Sequence, residues 1–234
     1  MSDADLAKFN AAQAALAYIK DGMIVGLGTG STSAHFVRQL GERVRQGLRV
    51  KGVPTSEATR NLAEQVGVPL LEISQVTAID VDVDGADEID PAFRLIKGGG
   101  GALLREKIVA AASKHMVVIA DETKWVETLG AFPLPVEVTR FGFALTQARV
   151  QEALRDTGCA GDEVALRVSG KANEPVITDG GNYILDAHAQ RIPDAEALSD
   201  ALKRIAGVVE HGLFIGLSRT VILGKAKGAD VRAL

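Results

Sequence analysis

Apolar residues arrive along the first half of the chain in short runs separated by helical patterns. Met23–Gly28, MIVGLG, is the length of a buried strand, and Ser31–Gln46, STSAHFVRQLGERVRQ, places its apolar positions at helical spacing. The pair repeats as Leu48–Ser56, LRVKGVPTS, followed by Glu57–Gly67, EATRNLAEQVG. Further strands are expected at Ala78–Gly85, AIDVDVDG, and at His115–Asp121, HMVVIAD, with a helix over Ala102–Lys114 between them. Strand and helix in alternation predict parallel βαβ units, and Gly or Asp closes each strand at the end where open α/β sheets collect ligands.

After Trp125 the pattern changes. Gly130–Gly142, GAFPLPVEVTRFG, is a proline-marked entry into a strand and not another crossover. A strand over Pro135–Phe141, a helix over Gln147–Gly158, strands at Glu163–Gly170 and around Asn182–Ala187, and a helix over Asp194–Gly207 follow, with Gly207–Glu210 as a closing strand. That βαββαβ order is the split, ferredoxin-like unit. The tail Gly212–Gly224, GLFIGLSRTVILG, returns to strand character and most economically rejoins the first sheet. The expected architecture is α/β: a Rossmann-like, mostly parallel sheet domain of residues 1–130 and 208–234, with a smaller ferredoxin-like α+β domain of residues 131–207.

Composition narrows the function. With 234 residues the chain can bury a substantial core, and its net charge of −4, with basic residues scattered, sets up no surface field for nucleic acid. Cys159 is the single cysteine, which excludes an internal disulfide or a thiolate metal cage and fits a reducing cytoplasm. The N-terminal twenty residues form an amphipathic helix pattern without a secretory apolar core, and no apolar run reaches the roughly 20 residues of a membrane span. His35, His115, His188 and His211 lack metal-ligand spacing, so neither metal nor cofactor is expected.

Three segments carry candidate chemistry. Gly26–Thr32, GLGTGST, puts glycines and hydroxyls at a strand-to-helix junction, where free N–H groups favour an anion. It fails both the dinucleotide and the Walker patterns, so Thr29, Gly30, Ser31 and Thr32 read either as a cradle for one phosphoryl group or as a Ser/Thr-capped turn. In Asp80–Asp90 a calcium loop is excluded because Pro91 stands where the bidentate Glu belongs. Asp84 and Asp87, separated by the small Gly85 and Ala86, remain as a proton-exchanging pair or a solvated acidic turn. Lys97 then opens four glycines, Gly98–Gly101, whose entropy cost argues for a ligand lying against the backbone. Glu106 sits on the helix that leaves this loop, and Lys124 follows another strand end.

With these segments in place, the chain resembles the type A ribose-5-phosphate isomerases over almost its whole length. The resemblance rests on GLGTGST, DGADEID, KGGGGALLREKI, IADETK, FPLPVEV, TDGGNYILD and GVVEHGLFIG, in the family's order and spacing. It implies metal-free, cofactor-free interconversion of ribose 5-phosphate and ribulose 5-phosphate in the non-oxidative pentose phosphate pathway, by a cytoplasmic homodimer or larger homo-oligomer with no nucleic-acid or membrane partner. Carried over residue by residue, it implies substrate contacts at Thr29, Gly30, Ser31, Thr32, Asp84, Gly85, Ala86, Asp87, Lys97, Gly98, Gly99, Gly100 and Lys124. The catalytic set it implies is Glu106 as base, with Asp84, Asp87 and Lys97. Gly101 and Gly180 depart from residues common in the family, as does the tail GLSRTVILG. The competing readings are a sugar-phosphate sensor without catalysis and a coenzyme A transferase-like enzyme on a related fold.

Overall fold

A computed structural model describes residues 1–170 and 173–234. By internal contacts the chain divides into two compact units: residues 1–86, 105–125 and 216–234 form unit 1, and residues 87–104 and 126–215 form unit 2. The expected boundaries were 130 and 208, so residues 87–104, 126–130 and 208–215 fall with the smaller unit instead.

Unit 1 is built on a six-stranded sheet. Its strands are β1 (Ile24–Leu27), β2 (Lys51–Pro54), β3 (Val81–Asp84), β6 (Met116–Asp121), β12 (Ser218–Lys225) and β13 (Gly228–Ala233). They lie in the order β13-β12-β6-β3-β1-β2, parallel except for β13, which pairs antiparallel with β12. The tail therefore does rejoin the first sheet, through β12. Because β1 leads to β2 on one side and β3 leads to β6 on the other, the sheet changes direction between β1 and β3. At such a switch point the loops diverge and open a ligand crevice at the strands' carboxyl ends.

Helices α1 (Asp3–Ala15), α2 (Ser31–Arg45), α3 (Glu57–Val66) and α4 (Leu103–Ala111) accompany these strands. Ser2 caps α1 in a capping box with Asp5, and the helix buries Ala7, Ala11, Ala12 and Ala15, whose small side chains permit close approach to the sheet. Phe36, Val37 and Leu40 of α2 pack on Val25, Leu27, Val83 and Ile119 in the main core. Ser56 caps α3 by accepting from the Thr59 N–H, and the helix stops at Gly67 in the left-handed conformation.

Unit 2 holds two sheets. The four-stranded sheet contains β7 (Leu134–Val138), β8 (Glu163–Leu166), β9 (Tyr183–His188) and β10 (Val208–His211) in the order β10-β7-β9-β8, every pair antiparallel. With α5 (Phe143–Asp156) and α6 (Ala195–Lys203) this is the ferredoxin-like order expected from the sequence. Val150 and Leu154 of α5 and Leu198 and Leu202 of α6 meet Val136, Val138 and Leu185 in its core. The second sheet was not foreseen. It is three two-residue strands, β4 (Glu88–Ile89), β5 (Leu95–Ile96) and β11 (Leu213–Phe214), in the order β11-β5-β4.

Candidate active site

In unit 1 the candidate residues gather at the carboxyl ends of β1, β3 and β6. Gly30 is the N-cap of α2 and, among the described residues, no side chain caps that helix end, so its first-turn amides at Ser31 and Thr32 are presented at the switch point. Asp84 ends β3 and is fully buried, so it is not a solvated acid, whereas Asp87 is part-exposed. Its Oδ1 accepts from the N–H of Thr29 (3.1 Å), the hydroxyl of Ser33 (3.2 Å) and the N–H of Gly85 (2.7 Å). Charge-assisted bonds of this kind are the stronger ones, so Asp84 pins the two loops flanking the switch point to each other. The chain accommodates this only because residue 28 is glycine: a Cβ there would lie 2.0 Å from Asp84 Oδ1.

The Thr29 hydroxyl joins a cluster with Thr55 Oγ1 (2.8 Å), Ser56 Oγ (2.9 Å) and Thr59 Oγ1 (3.2 Å). Thr55 and Thr59 anchor this cluster on the carbonyls of Leu27 and Gly28, each at 3.0 Å. Residue 29 thus contributes through its backbone placement, and Thr55, Ser56 and Thr59 are supporting residues for which the sequence reading had no role. Their signal was the pair of hydroxyl residues at the end of the second strand.

Glu106 is buried in the first turn of α4. Its neighbour Arg105 bonds Glu57 of α3 at 2.7 Å. Lys124 is half-buried in a 3-10 turn, Glu122–Lys124, directly after β6.

In unit 2, Asp87 and Lys97 stand just outside the antiparallel pair β4 and β5, whose register sets Glu88 opposite Ile96. Lys97 is 2 % exposed, with its Nζ 5.4 Å from the centroid of the Phe214 ring and its backbone N–H donating to Gly212 at 2.9 Å. A lysine so placed keeps its ammonium on an aromatic face instead of in bulk water. The glycine run turns tightly: Gly98 has φ +104°, and the Gly101 N–H donates to the Gly98 carbonyl at 3.0 Å. The Gly99 N–H donates to Asp87 Oδ2 at 2.8 Å, so the acid and the loop form one arrangement. Glu88, 4 % exposed, accepts from the N–H groups of Gly130 and Phe132, both at 2.6 Å, and was not singled out in the sequence. It fixes the segment that sets Phe132 beside Gly99, where a Cβ would come within 3.0 Å of the ring.

Residues outside the candidate set are otherwise occupied. His211 is fully buried, with Nε2 3.3 Å from Ser199 Oγ and Nδ1 accepting from the Leu213 N–H at 3.3 Å, the arrangement of a satisfied core histidine. Burial pushes the Cys159 thiol up, away from nucleophilic reactivity. The Arg232 guanidinium lies 3.9 Å from the centroid of the Trp125 ring, so Trp125 serves packing within unit 1. Among the described residues no group of three or more His, Cys, Asp or Glu is arranged to hold a metal ion, and no helix is long and apolar enough to cross a membrane.

Comparison with known proteins adds the family. Residues 51–228 match the model of ribose 5-phosphate isomerase A (phosphoriboisomerase A). The chain is 58% identical to ribose-5-phosphate isomerase A of Nitrobacter hamburgensis over 97% of both chains, and 57% identical to that of Maricaulis maris over 96% of both. Among solved structures, ribose 5-phosphate isomerase A of Methanocaldococcus jannaschii matches with a TM-score of 0.89 at 41% identity, over the full length of both chains. A D-ribose-5-phosphate isomerase in complex with phospho-erythronic acid matches with a TM-score of 0.91 at 39% identity, again over both full lengths. The buried acid at the switch point, the glycine loop and these full-length matches agree, and the chain belongs to the ribose 5-phosphate isomerase A family.

Proposed function

We propose that the chain interconverts D-ribose 5-phosphate and D-ribulose 5-phosphate through an enediolate, without a metal, as a step of the non-oxidative pentose phosphate pathway. The amide-bearing N-terminus of α2, with Thr29, Gly30, Ser31 and Thr32, holds the phosphate dianion. Binding energy spent there orients C1 and C2, far from the phosphate, against the base. Glu106 removes the proton from C2 of the open-chain aldose. The C–H electron pair becomes the C1=C2 bond, and charge moves onto O1. Lys97 and Lys124 supply positive charge for the substrate oxygens and the phosphate, and Gly98, Gly99 and Gly100 let the sugar approach the backbone. Asp84 and Asp87, with Gly85 and Ala86 between them, exchange hydroxyl protons as the furanose ring opens and as O1 and O2 trade roles. Glu106 then returns its proton to C1, giving the ketose.

The observation that supports catalysis over sensing is the buried Glu106, which belongs to the same unit as the buried Asp84 and the N-terminus of α2. A sensor needs only the helix end. The carboxylate of the phospho-erythronic acid held by a relative has the planar two-oxygen form of an enediolate, which supports the same intermediate here. The family's habit supports a cytoplasmic homodimer or larger homo-oligomer.

The test is incubation of ribose 5-phosphate with the protein in deuterated buffer containing a chelator. Ketose carrying deuterium is expected; absence of ketose, or its loss on chelation, sinks the reading. Glu106→Gln is expected to lower kcat by about 10²–10⁴ while inhibition by inorganic phosphate stays within a few-fold. Undiminished turnover in that variant would remove Glu106 from the role of base.

A further inference from the structure

We propose that Arg167 is a positioning residue that clamps the glycine loop so that the Gly100 N–H faces the substrate oxygen on which enediolate charge develops. Arg167 follows β8 directly and lies in unit 2 with the loop. Its Nη1 donates to two successive carbonyls, Gly98 at 2.9 Å and Gly99 at 3.2 Å. The other edge of the guanidinium is fixed by Asp186 of β9, with Nε to Oδ2 at 2.9 Å and Nη2 to Oδ1 at 2.5 Å. Both side chains are largely buried, at 15% and 20% exposure, so the pair is a fixed part of the unit and not a solvated surface bridge.

The consequence follows from peptide geometry. In a trans peptide the N–H points opposite to the preceding C=O, and the chain has no cis bond among the described residues. With the Gly98 carbonyl held on Arg167, the Gly99 N–H must point the other way, and it does, to Asp87 Oδ2 at 2.8 Å. With the Gly99 carbonyl held on the same guanidinium, the Gly100 N–H is likewise sent to the side away from Arg167. Two consecutive amides thus leave the loop away from the clamp, one engaged by a candidate catalytic acid and the next presented as an oxyanion donor. A run of four glycines has too much conformational freedom to hold these two planes unaided. Only a planar fork reaches both carbonyls and the carboxylate at once, which a lysine ammonium does not.

This inference rests on the isomerase reading, and its test separates the two. If the wild-type protein does not isomerise ribose 5-phosphate, the functional reading fails whatever Arg167 does. With wild-type turnover in hand, Arg167→Met is expected to lower kcat by about 10²-fold with KM within about threefold, the size of effect seen when one oxyanion donor is lost. Its inhibition constant for phospho-erythronic acid is expected to rise by a similar factor while that for inorganic phosphate is unchanged, a difference that general loosening of the fold would not produce. Arg167→Lys, which keeps the charge beside Asp186, is expected to recover no more than about a tenth of wild-type kcat. Wild-type kcat and inhibitor affinity in either folded variant would overturn the proposal. Should both variants fail to fold, the unaltered protein decides: the Gly100 amide proton is expected to move downfield in the NMR spectrum on binding phospho-erythronic acid, and an unmoved resonance overturns the clamp's purpose.

Discussion

At residue 28 the backbone passes so close to β3 that an added Cβ would lie 2.0 Å from Asp84 Oδ1 and 2.6 Å from Asp84 Cα. Since the second of these is backbone, no rotamer change relieves it. Gly28→Ala is therefore expected to cost about 3 kcal/mol, at the upper end for overpacking, read as a lowered urea midpoint at unchanged slope. Turnover is expected to fall with it, because the same shift moves the Thr29 N–H away from Asp84. The sequence displayed Lys97, Glu106 and the paired aspartates through motif spacing. It did not display the burial of Asp84. Alternation in AIDVDVDG suggests one wet face, whereas a central parallel strand is covered on both, and β3 is buried along its entire length. Arg167 was invisible for a different reason: its contacts with the glycine loop lie about seventy positions away in the chain, and nothing local to ALRVSG marks them.

Longer elements were legible because their periodicity extends over enough residues to be counted, as in α2, α5 and the strands β6 and β9. The two-residue strands β4, β5 and β11 offer no period, and the sheet they share sets Asp87 and Lys97 just outside adjacent strands. One strand junction carries a pH dependence. Asp80, just before β3, is held below its usual value of 3.8 chiefly by the side-chain hydrogen bond from Lys114, and also by the N–H of Ile24 at the start of β1. A carboxyl depressed in the folded state contributes stability that is present above 3.8 and lost as pH falls through the lower folded value. Lys114 is 69% exposed, so solvent screens the pair and the contribution is about 1 kcal/mol or less. Asp80→Asn is expected to be destabilised near pH 7 and to converge with wild type below pH 3.8 in urea titrations; a constant gap across pH would show that charge plays no part.

Across the whole molecule, chain order and spatial order part company. Unit 1 takes β12 between β6 and β13, and α1 packs against β12, yet residues 126–215 intervene in the chain and belong to unit 2. A chain ending at residue 215 contains every residue of unit 2 but lacks β12 and β13. Hydrogen exchange on that fragment is expected to show protected amides in β7 and β9 and rapid exchange in β6 and α1. Protection of α1 in the fragment would mean that unit 1 closes without β12.

The position of β12 also sets a schedule for synthesis. When β6, with its MVVIA run, leaves the ribosome, the edge that will receive β12 has nothing to pair with. At ordinary translation speeds the gap before residues 218–225 emerge is on the order of ten seconds. Throughout it an apolar parallel strand stands open to neighbouring nascent chains. Unit 2, begun at residues 87–104 and completed within that interval, can fold while unit 1 waits. The newborn polypeptide is thus most vulnerable to aggregation in the half that carries Glu106, and chaperone occupancy should peak between completion of β6 and emergence of β12.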